Sequence, residues 1–278
     1  MLERIQYKNH LGEVLDFGQN GMFVNANDLR DFVWSYTSKN NRISAFKRGI
    51  GKKTLPVKIA CASEEEGTAK RNALFEVAEK DVLANQHGKI IIGDYYMKCF
   101  IVGSKKSDYL TGKEYMVVKL SIATDFPAWV KETKKTFRSL NSAVATEGAG
   151  SNLDFPHDYP MDYASEFANH RIINDDFVAT NFQMIIYGPC SDPKVYIGGH
   201  EYGVATEIGN GEYLVIDSVA KTIELVRTNG AKVNCFNHRS RESYVFEKIP
   251  SGENTVTWEG DFGFDMTLLE ERSEPKWT

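Results

Sequence analysis

Four cysteines are spread over 278 residues, at Cys61, Cys99, Cys190 and Cys235, and none forms a CxxC step. That absence excludes a zinc ribbon or a thioredoxin-like redox pair. Their positions inside strand-like stretches or beside a turn predict buried thiols in a reducing compartment. Runs of eighteen apolar residues are also absent, which excludes a membrane-spanning helix. The opening MLERIQYKNHLGEVLDFG carries early charge and no apolar stretch of signal-peptide length, which argues against Sec export. Positive charge is in deficit: the net charge is -5 and the pI about 5.8. Such a chain lacks the electrostatic footprint for phosphate backbones, so no sequence-specific nucleic-acid partner is expected. Only the stretch from Lys47 to Lys53 is locally basic.

Catalytic signatures are missing in the same way. GIGKKT at 49–54 has the Gly-Lys step of a phosphate loop, but Phe46 stands where the first glycine belongs. The histidines, His10, His87, His157, His170, His200 and His238, are single, so neither HExxH nor a metal-ligand cluster forms, and surface or loop positions are expected. The pairs Asp175-Asp176 and Glu270-Glu271 would point to opposite faces of a strand and are expected at solvated ends. GNG at 209–211 lacks the third glycine of a dinucleotide loop, and a hairpin turn explains it. The expectation is a protein without catalytic, cofactor or metal residues.

What is present is strand. From about Phe177 to Trp277 the segments VYIGGHEYGVATEI, GEYLVIDSVAKTIELVRTNGAKVNCF and YVFEKIPSGENTVTW alternate with period two. Turns are signalled at Gly198-Gly199, Gly209-Asn210-Gly211, Asn229-Gly230 and Pro250-Ser251-Gly252. This is the pattern of an antiparallel β-sandwich. A length of 278 residues is enough for two cores. The aromatic share of 12% leans toward strand-rich structure or interaction surfaces.

The N-terminal part carries one helix. Ser63 with Glu66 reads as a capping box, Gly88 as the stop, and Ala69, Ala73, Leu74, Val77, Ala78 and Val82 as the stripe that packs on a sheet. The helix is expected at about 64–85. NRISAFKRGIGKKTLPVKIACA before it reads as strand, basic turn, strand. GKIIIGDYYMKCFIVGSKK and EYMVVKLSIATDF after it read as further strands. The order predicts a mainly β, α+β domain over 1–135, a β-sandwich with one helix across it.

Around residue 138 RSLNSAVATEGAGSN loses all periodicity, marking a connection over 136–175 before a second domain at 176–278. Within it LDFPHDYPMDY spaces Phe155, Tyr159 and Tyr163 by four, while Pro156 and Pro160 forbid an ordinary helix. An extended segment with aromatic anchors is expected, packing along a domain seam or against a neighbouring chain.

Phe236, Asn237 and Arg239, with Asn254, Trp258 and Glu259, resemble the polar and aromatic set that galectins use on sugar hydroxyls. The run here is CFNHR, so Cys235 replaces the first sugar-contacting histidine of HFNPR. Asn237, Arg239 and Trp258 are the candidate carbohydrate contacts; the alternative has Asn and Arg bonding a turn and Trp258 filling a core.

The blocks NFQMIIYGPCSDPKVYIGGHEYGV, GEYLVIDSVAKTIELVRTNGAKVNCFNHRSRESYVFEKIPSGENTVTW and GDFGFDMTLLEERSEPKW, in this order, resemble the siphophage distal tail protein family (Dit-like phage tail components). FKRGIGKKTLPVKI, EKDVLA, GKIIIGDYYMKCFIVGS and SIATDFPAWVKE extend the likeness over most of the chain. The resemblance implies a non-enzymatic hub at the distal end of a long non-contractile tail, in the virion of a phage or prophage. It implies a hexameric ring formed by the N-terminal domain, a C-terminal galectin-like sandwich of jelly-roll type projecting outward, and contacts to tail tube, tip or baseplate and receptor-binding proteins. A ring made by head-to-tail contacts needs two different surface patches on each subunit. The alternatives are a carbohydrate-binding module of a tail or cell-surface protein and, third, a glycan-cleaving tail enzyme, which would need converging carboxylates.

Overall fold

The computed structural model of the protein describes residues 4–18, 21–24, 26–107, 115–139 and 170–277. The aromatic and proline segment around Phe155, Tyr159 and Tyr163 lies outside the described residues. Among the described residues the fold is mainly β, with one α-helix and antiparallel strand pairing throughout. Two compact units emerge: Met1–Lys131 with Glu271–Thr278, and Glu132–Glu270. The closing residues Glu271–Thr278 thus group with the first unit.

The first unit contains β1 (Ile5–Lys8), β2 (Val14–Asp16), β3 (Met22–Val24), β4 (Ser35–Lys39), β5 (Arg42–Lys47), β6 (Gly51–Ala60), α1 (Glu64–Ala84), β7 (Gly88–Ile92), β8 (Tyr95–Ser107), β9 (Tyr115–Thr124) and the start of β10 (Trp129–Phe137). The long β8 serves two sheets. Its first half pairs with β7, which leads to β1 and β2; its second half pairs with β9, which leads to β6 and β3. A register shift between Ile101 and Gly103 marks the change, a bulge that bends the strand between its two partners. Alternate residues of both sheets meet in one core, among them Tyr7, Ile90, Met97, Val57, Val118 and Leu120, and Leu74, Val77 and Ala78 of α1 join it.

The helix begins as the sequence requires. Ser63 is the N-cap and accepts from the Glu66 N–H at 3.2 Å, while the Glu66 carboxylate accepts from Ala62 N. It ends earlier than Gly88, because Asn85 takes a left-handed conformation with φ 50 and its N–H returns to Asp81 and Val82 carbonyls. The stripe also differs from expectation. Ala69 and Val82 are exposed, and Gly67 and Asp81 are buried beside Leu74, Val77 and Ala78.

The second unit holds the rest of β10, then β11 (Arg171–Asn174), β12 (Asn181–Tyr187), β13 (Cys190–Ser191), β14 (Lys194–Ile197), β15 (His200–Gly203), β16 (Glu207–Ile208), β17 (Tyr213–Asp217), β18 (Thr222–Val226), β19 (Lys232–Asn234), β20 (Gly252–Trp258) and most of β21 (Phe264–Arg272). One sheet runs β19-β18-β17-β12-β21-β10 and the other β11-β20-β14-β15. Phe182, Met184, Leu214, Ile223 and Met266 of the first meet Ile172, Val195, Ile197, Tyr202 and Val256 of the second in a common core, the arrangement of a sandwich. YVFEKIP is not a strand: it is an irregular segment whose Val245, Phe246 and Ile249 are buried, and Tyr244 stays exposed.

Candidate functional site

The hairpin β4–β5 is the part of the first unit whose sequence and packing disagree most. Asn40 and Asn41, with φ 52 and 58, form the two-residue turn between Lys39 and Arg42. Positive φ at both positions is the twist that suits a tight hairpin, and asparagine tolerates it. Tyr36 faces Phe46 in the register, and Ser38 faces Ile43 beyond a bulge at Thr37. Trp34 meets Phe46 edge-on at 6.4 Å, and the Arg48 guanidinium lies 4.4 Å over the Trp34 ring. Among the described residues the hairpin is a separate two-stranded sheet, and every residue in it is exposed. Tyr36, Phe46 and Ile43 are more than half exposed, at 62%, 60% and 54%. Two strands with no core beneath them are marginal in water, and Tyr36, Ile43 and Phe46 form an exposed apolar surface on this pair.

Next along the chain toward the N-terminus lies a cleft of about 640 Å³, lined by Ala26, Asn27, Arg30, Asp31, Phe32, Glu274 and Trp277. Arg30 stacks 3.9 Å from the centre of the Trp277 ring, donates to the Pro275 carbonyl at 2.6 Å and pairs with Glu274 at 3.6 Å. Lys53 donates to the carbonyls of Asp28 and Asp31, and the Thr54 N–H donates to Asp28 Oδ1 at 2.6 Å. Burial holds the Lys53 amine below its ordinary value, with Asp28 and Asp31 opposing. The loop leading into β4 is therefore pinned, while the hairpin itself extends from it.

Several ionisable groups elsewhere are engaged in holding the fold. Asp81, with no accessible surface, accepts from the Tyr7 hydroxyl on one oxygen and from the His10 N–H at 2.9 Å on the other. Burial first, then the bond to Asp81, pushes the Tyr7 hydroxyl far above its ordinary value. Burial raises the Cys99 thiol to about 12 and the Cys190 thiol to about 11. Neither is a nucleophile at neutral pH. Cys235 is also buried, whereas Cys61 is only half-buried. His10 is no free surface histidine, being tied to Asp81. Asp176 and Glu270, expected at solvated ends, are buried at 2% and 3% exposure. GIGKKT runs into the extended β6, where a loop around a phosphate has no place. Among the described residues no group of three or more His, Cys, Asp or Glu could hold a metal.

Of the candidate sugar contacts, Arg239 and Trp258 are engaged with protein groups and Asn237 is exposed. Asn237 is exposed in a short 3-10 turn at Phe236–His238. Arg239 folds back on that turn, donating to the Phe236 carbonyl at 2.7 Å with its guanidinium 4.0 Å over the Phe236 ring. Trp258 packs against Phe137, His170 and Phe264, and its indole N–H is taken by the Phe262 carbonyl at 2.9 Å. Asn254 is buried and donates to the carbonyls of Pro250 and Gly252.

The hairpin face was not legible as a site because β4, SYTSK, is too polar to read as a strand alone. A signal was there. From Phe32 to Lys53 the chain has Lys39, Arg42, Lys47, Arg48, Lys52 and Lys53 and no Asp or Glu, in a protein of net charge -5.

No family model and no curated protein matches this sequence. Solved structures do match the fold over nearly the whole chain. The baseplate of phage P2 in its activated conformation with Ca contains a chain similar at TM-score 0.63 and 11% identity, covering 99% of this chain and 100% of that one. The same baseplate with Sr gives TM-score 0.62, 11% identity and coverages of 99% and 100%. The SPP1 Dit protein, described as a paradigm of the hub adsorption apparatus in phages infecting Gram-positive bacteria, gives TM-score 0.58, 9% identity and coverages of 98% and 99%. The chain thus shares its fold with a Dit hub protein and a phage baseplate component.

Proposed function

We propose that this protein is a structural hub of a phage or prophage tail tip, carried in the virion, which joins a long non-contractile tail tube to tip or baseplate and receptor-binding proteins. The observation that carries the reading is the match of the fold, end to end, to a baseplate chain and to a Dit hub. The exposed hairpin supports it from the physical side, since an apolar face built on a pinned base suits permanent contact with a neighbouring subunit. In this reading residues 1–135 form a hexameric ring, 136–175 connect, and 176–278 form a galectin-like, jelly-roll sandwich that projects outward. The protein works by contact rather than catalysis and needs no cofactor. Buried carboxylates such as Asp81 and Asp265 are consumed by structural bonds.

Native mass spectrometry across a concentration series, with negative-stain images, tests the reading. Closed rings of six copies are expected. A chain that stays monomeric at every concentration, and does so in the presence of its neighbouring tail gene products, would count against it.

A further inference from the structure

The cationic side chains of the β4–β5 hairpin gather on one face. In the register Ser35 faces Lys47, Thr37 faces Ala45 and Lys39 faces Arg42, so Lys39, Arg42 and Lys47 lie together with only small residues between them. Tyr36 and Phe46 take the other face. Cations nearby are held, Arg48 by Glu271 and Lys53 by the carbonyls of Asp28 and Asp31. Among the described residues Lys39, Arg42 and Lys47 are in no ion pair, and all three are exposed.

Helix α1 carries the opposite charge on its outer side. At about 100° per residue, Glu65, Glu76 and Glu79 fall within about 60° of one another, with Asn72 and Leu83 on the same stripe. All of these are exposed, Leu83 at 80%. The lysines of the helix are already engaged, Lys70 with Glu66 and Lys80 with Glu13, whereas Glu65, Glu76 and Glu79 are in no ion pair among the described residues. The spacings correspond. Lys39 and Arg42 stand side by side, with Lys47 about 13 Å down the hairpin at about 3.4 Å per residue. Glu76 and Glu79 stand about one turn apart, with Glu65 about 16 Å before Glu76 at about 1.5 Å per residue. A pair and a single charge thus face a pair and a single charge, and the flexible lysine stems take up the difference of about 3 Å.

We infer that the cationic face of β4–β5 docks on the α1 stripe of a second copy of this chain, with Lys39 and Arg42 on Glu76 and Glu79 and with Lys47 on Glu65. Both surfaces are exposed in a single copy, so they do not meet within one chain. Charge selects the pairing: hairpin would repel hairpin and stripe would repel stripe, which leaves hairpin on helix. A contact between two different patches repeats from copy to copy, and it closes into a ring when its rotation allows. The inference rests on the ring-forming hub proposed above and names the surfaces that hold neighbours together.

The test uses the full-length chain mixed with an equal amount of its isotope-labelled form and treated with a zero-length carbodiimide, which joins lysine amines to carboxylates. Peptide mass spectrometry should recover Lys39 joined to Glu76 or Glu79, and Lys47 joined to Glu65, in pairs of mixed label and therefore between copies. Lys39→Glu with Arg42→Glu, and separately Glu76→Lys with Glu79→Lys, should each lower the assembled fraction in native mass spectrometry at least tenfold. Mixing the two variants should restore assembly, because the reversed hairpin then meets the reversed helix and the unchanged hairpin meets the unchanged helix. Thermal melts close to wild type are the folding control. The inference is overturned by assembly indifferent to the reversals, by a mixture of folded variants that does not recover, or by a wild-type chain without these crosslinks between copies. Rings that form without them would leave the hub reading standing and remove this contact; the crosslinks in dimers or open chains would keep the contact and remove the ring of six.

Discussion

Tyr36 and Phe46 face each other across the β4–β5 hairpin, and both are about 60% exposed, at 62% and 60%. A cross-strand aromatic pair contributes to the hairpin's own stability. Left uncovered, it also keeps a large apolar surface in water, which a stable monomer has little reason to retain.

Replacing both rings with Ser should therefore separate folding from assembly. The doubly substituted chain, Tyr36→Ser with Phe46→Ser, is expected to unfold within about 1 kcal/mol of wild type, since neither ring belongs to a core. Its ring population in native mass spectrometry should fall at least tenfold. Equal loss of both properties would mean that the hairpin supports the fold instead.

The ends of α1 give a second pair of outcomes. Ser63→Ala removes the acceptor for the Glu66 N–H and should cost about 1 kcal/mol in urea unfolding. Asn85→Gly should be neutral or slightly stabilising, because φ 50 suits glycine, whereas Asn85→Ala should cost about 1 kcal/mol. If Asn85→Gly is the more damaging of the two, the left-handed cap is not what ends the helix.

That helix also shows what a sequence can and cannot announce. Ser63 and Glu66 act within one turn, so the start is local information and was legible. The stop was misread at Gly88, because Asn85 reaches the left-handed region nearly as well as glycine does. The spacing puts Val82 in the buried stripe and omits Asp81, although Asp81 is the one buried. Its partners Tyr7 and His10 are more than seventy positions away in the chain, so nothing near Asp81 signals that a carboxylate can be satisfied there. In the second unit, period-two alternation marks most strands, but YVFEKIP alternates too and is irregular, with Val245 and Phe246 buried outside any strand and Ile249 making an isolated bridge to Thr180. The hairpin face was missed for the converse reason: its aromatic residues are not core, and periodicity reads only what a core demands. For Arg239 and Trp258 the sequence offers both sugar contact and structural use, and their structural partners, Phe236 and Phe262, lie three and four positions away.

Trp258 provides a direct test of its place in the packing. Trp258→Ala removes an aromatic neighbour from Phe137, His170 and Phe264 and leaves the Phe262 carbonyl without its donor. A loss of about 3 kcal/mol in denaturant unfolding is expected. Trp258→Phe should recover most of the packing and not the hydrogen bond. A soluble Trp258→Ala chain of wild-type stability would show that the ring is dispensable to the core and free for another use.

Asp265 supplies the pH dependence. Its carboxylate is buried among three donors: Lys134 Nζ at 2.7 Å, the Thr136 hydroxyl at 2.6 Å and the Tyr187 hydroxyl at 2.7 Å. Burial alone would raise its pKa, but the bonds from Lys134, Thr136 and Tyr187 together outweigh burial and hold it below the usual carboxylate value. A carboxyl group depressed in the folded state contributes stability above its unfolded pKa of about 3.9, and that contribution fades as the pH falls through the folded value. Asp265→Asn, which keeps the shape and loses the charge, should cost about 2 kcal/mol at pH 7. The gap between the two chains should persist down to about pH 5 and close progressively below about pH 4. Urea unfolding of both at pH 7, 5, 4 and 3 measures it. A gap that stays constant across that range would mean that the negative charge itself contributes nothing, and that the cost lies in the poorer fit of an amide among Lys134, Thr136 and Tyr187.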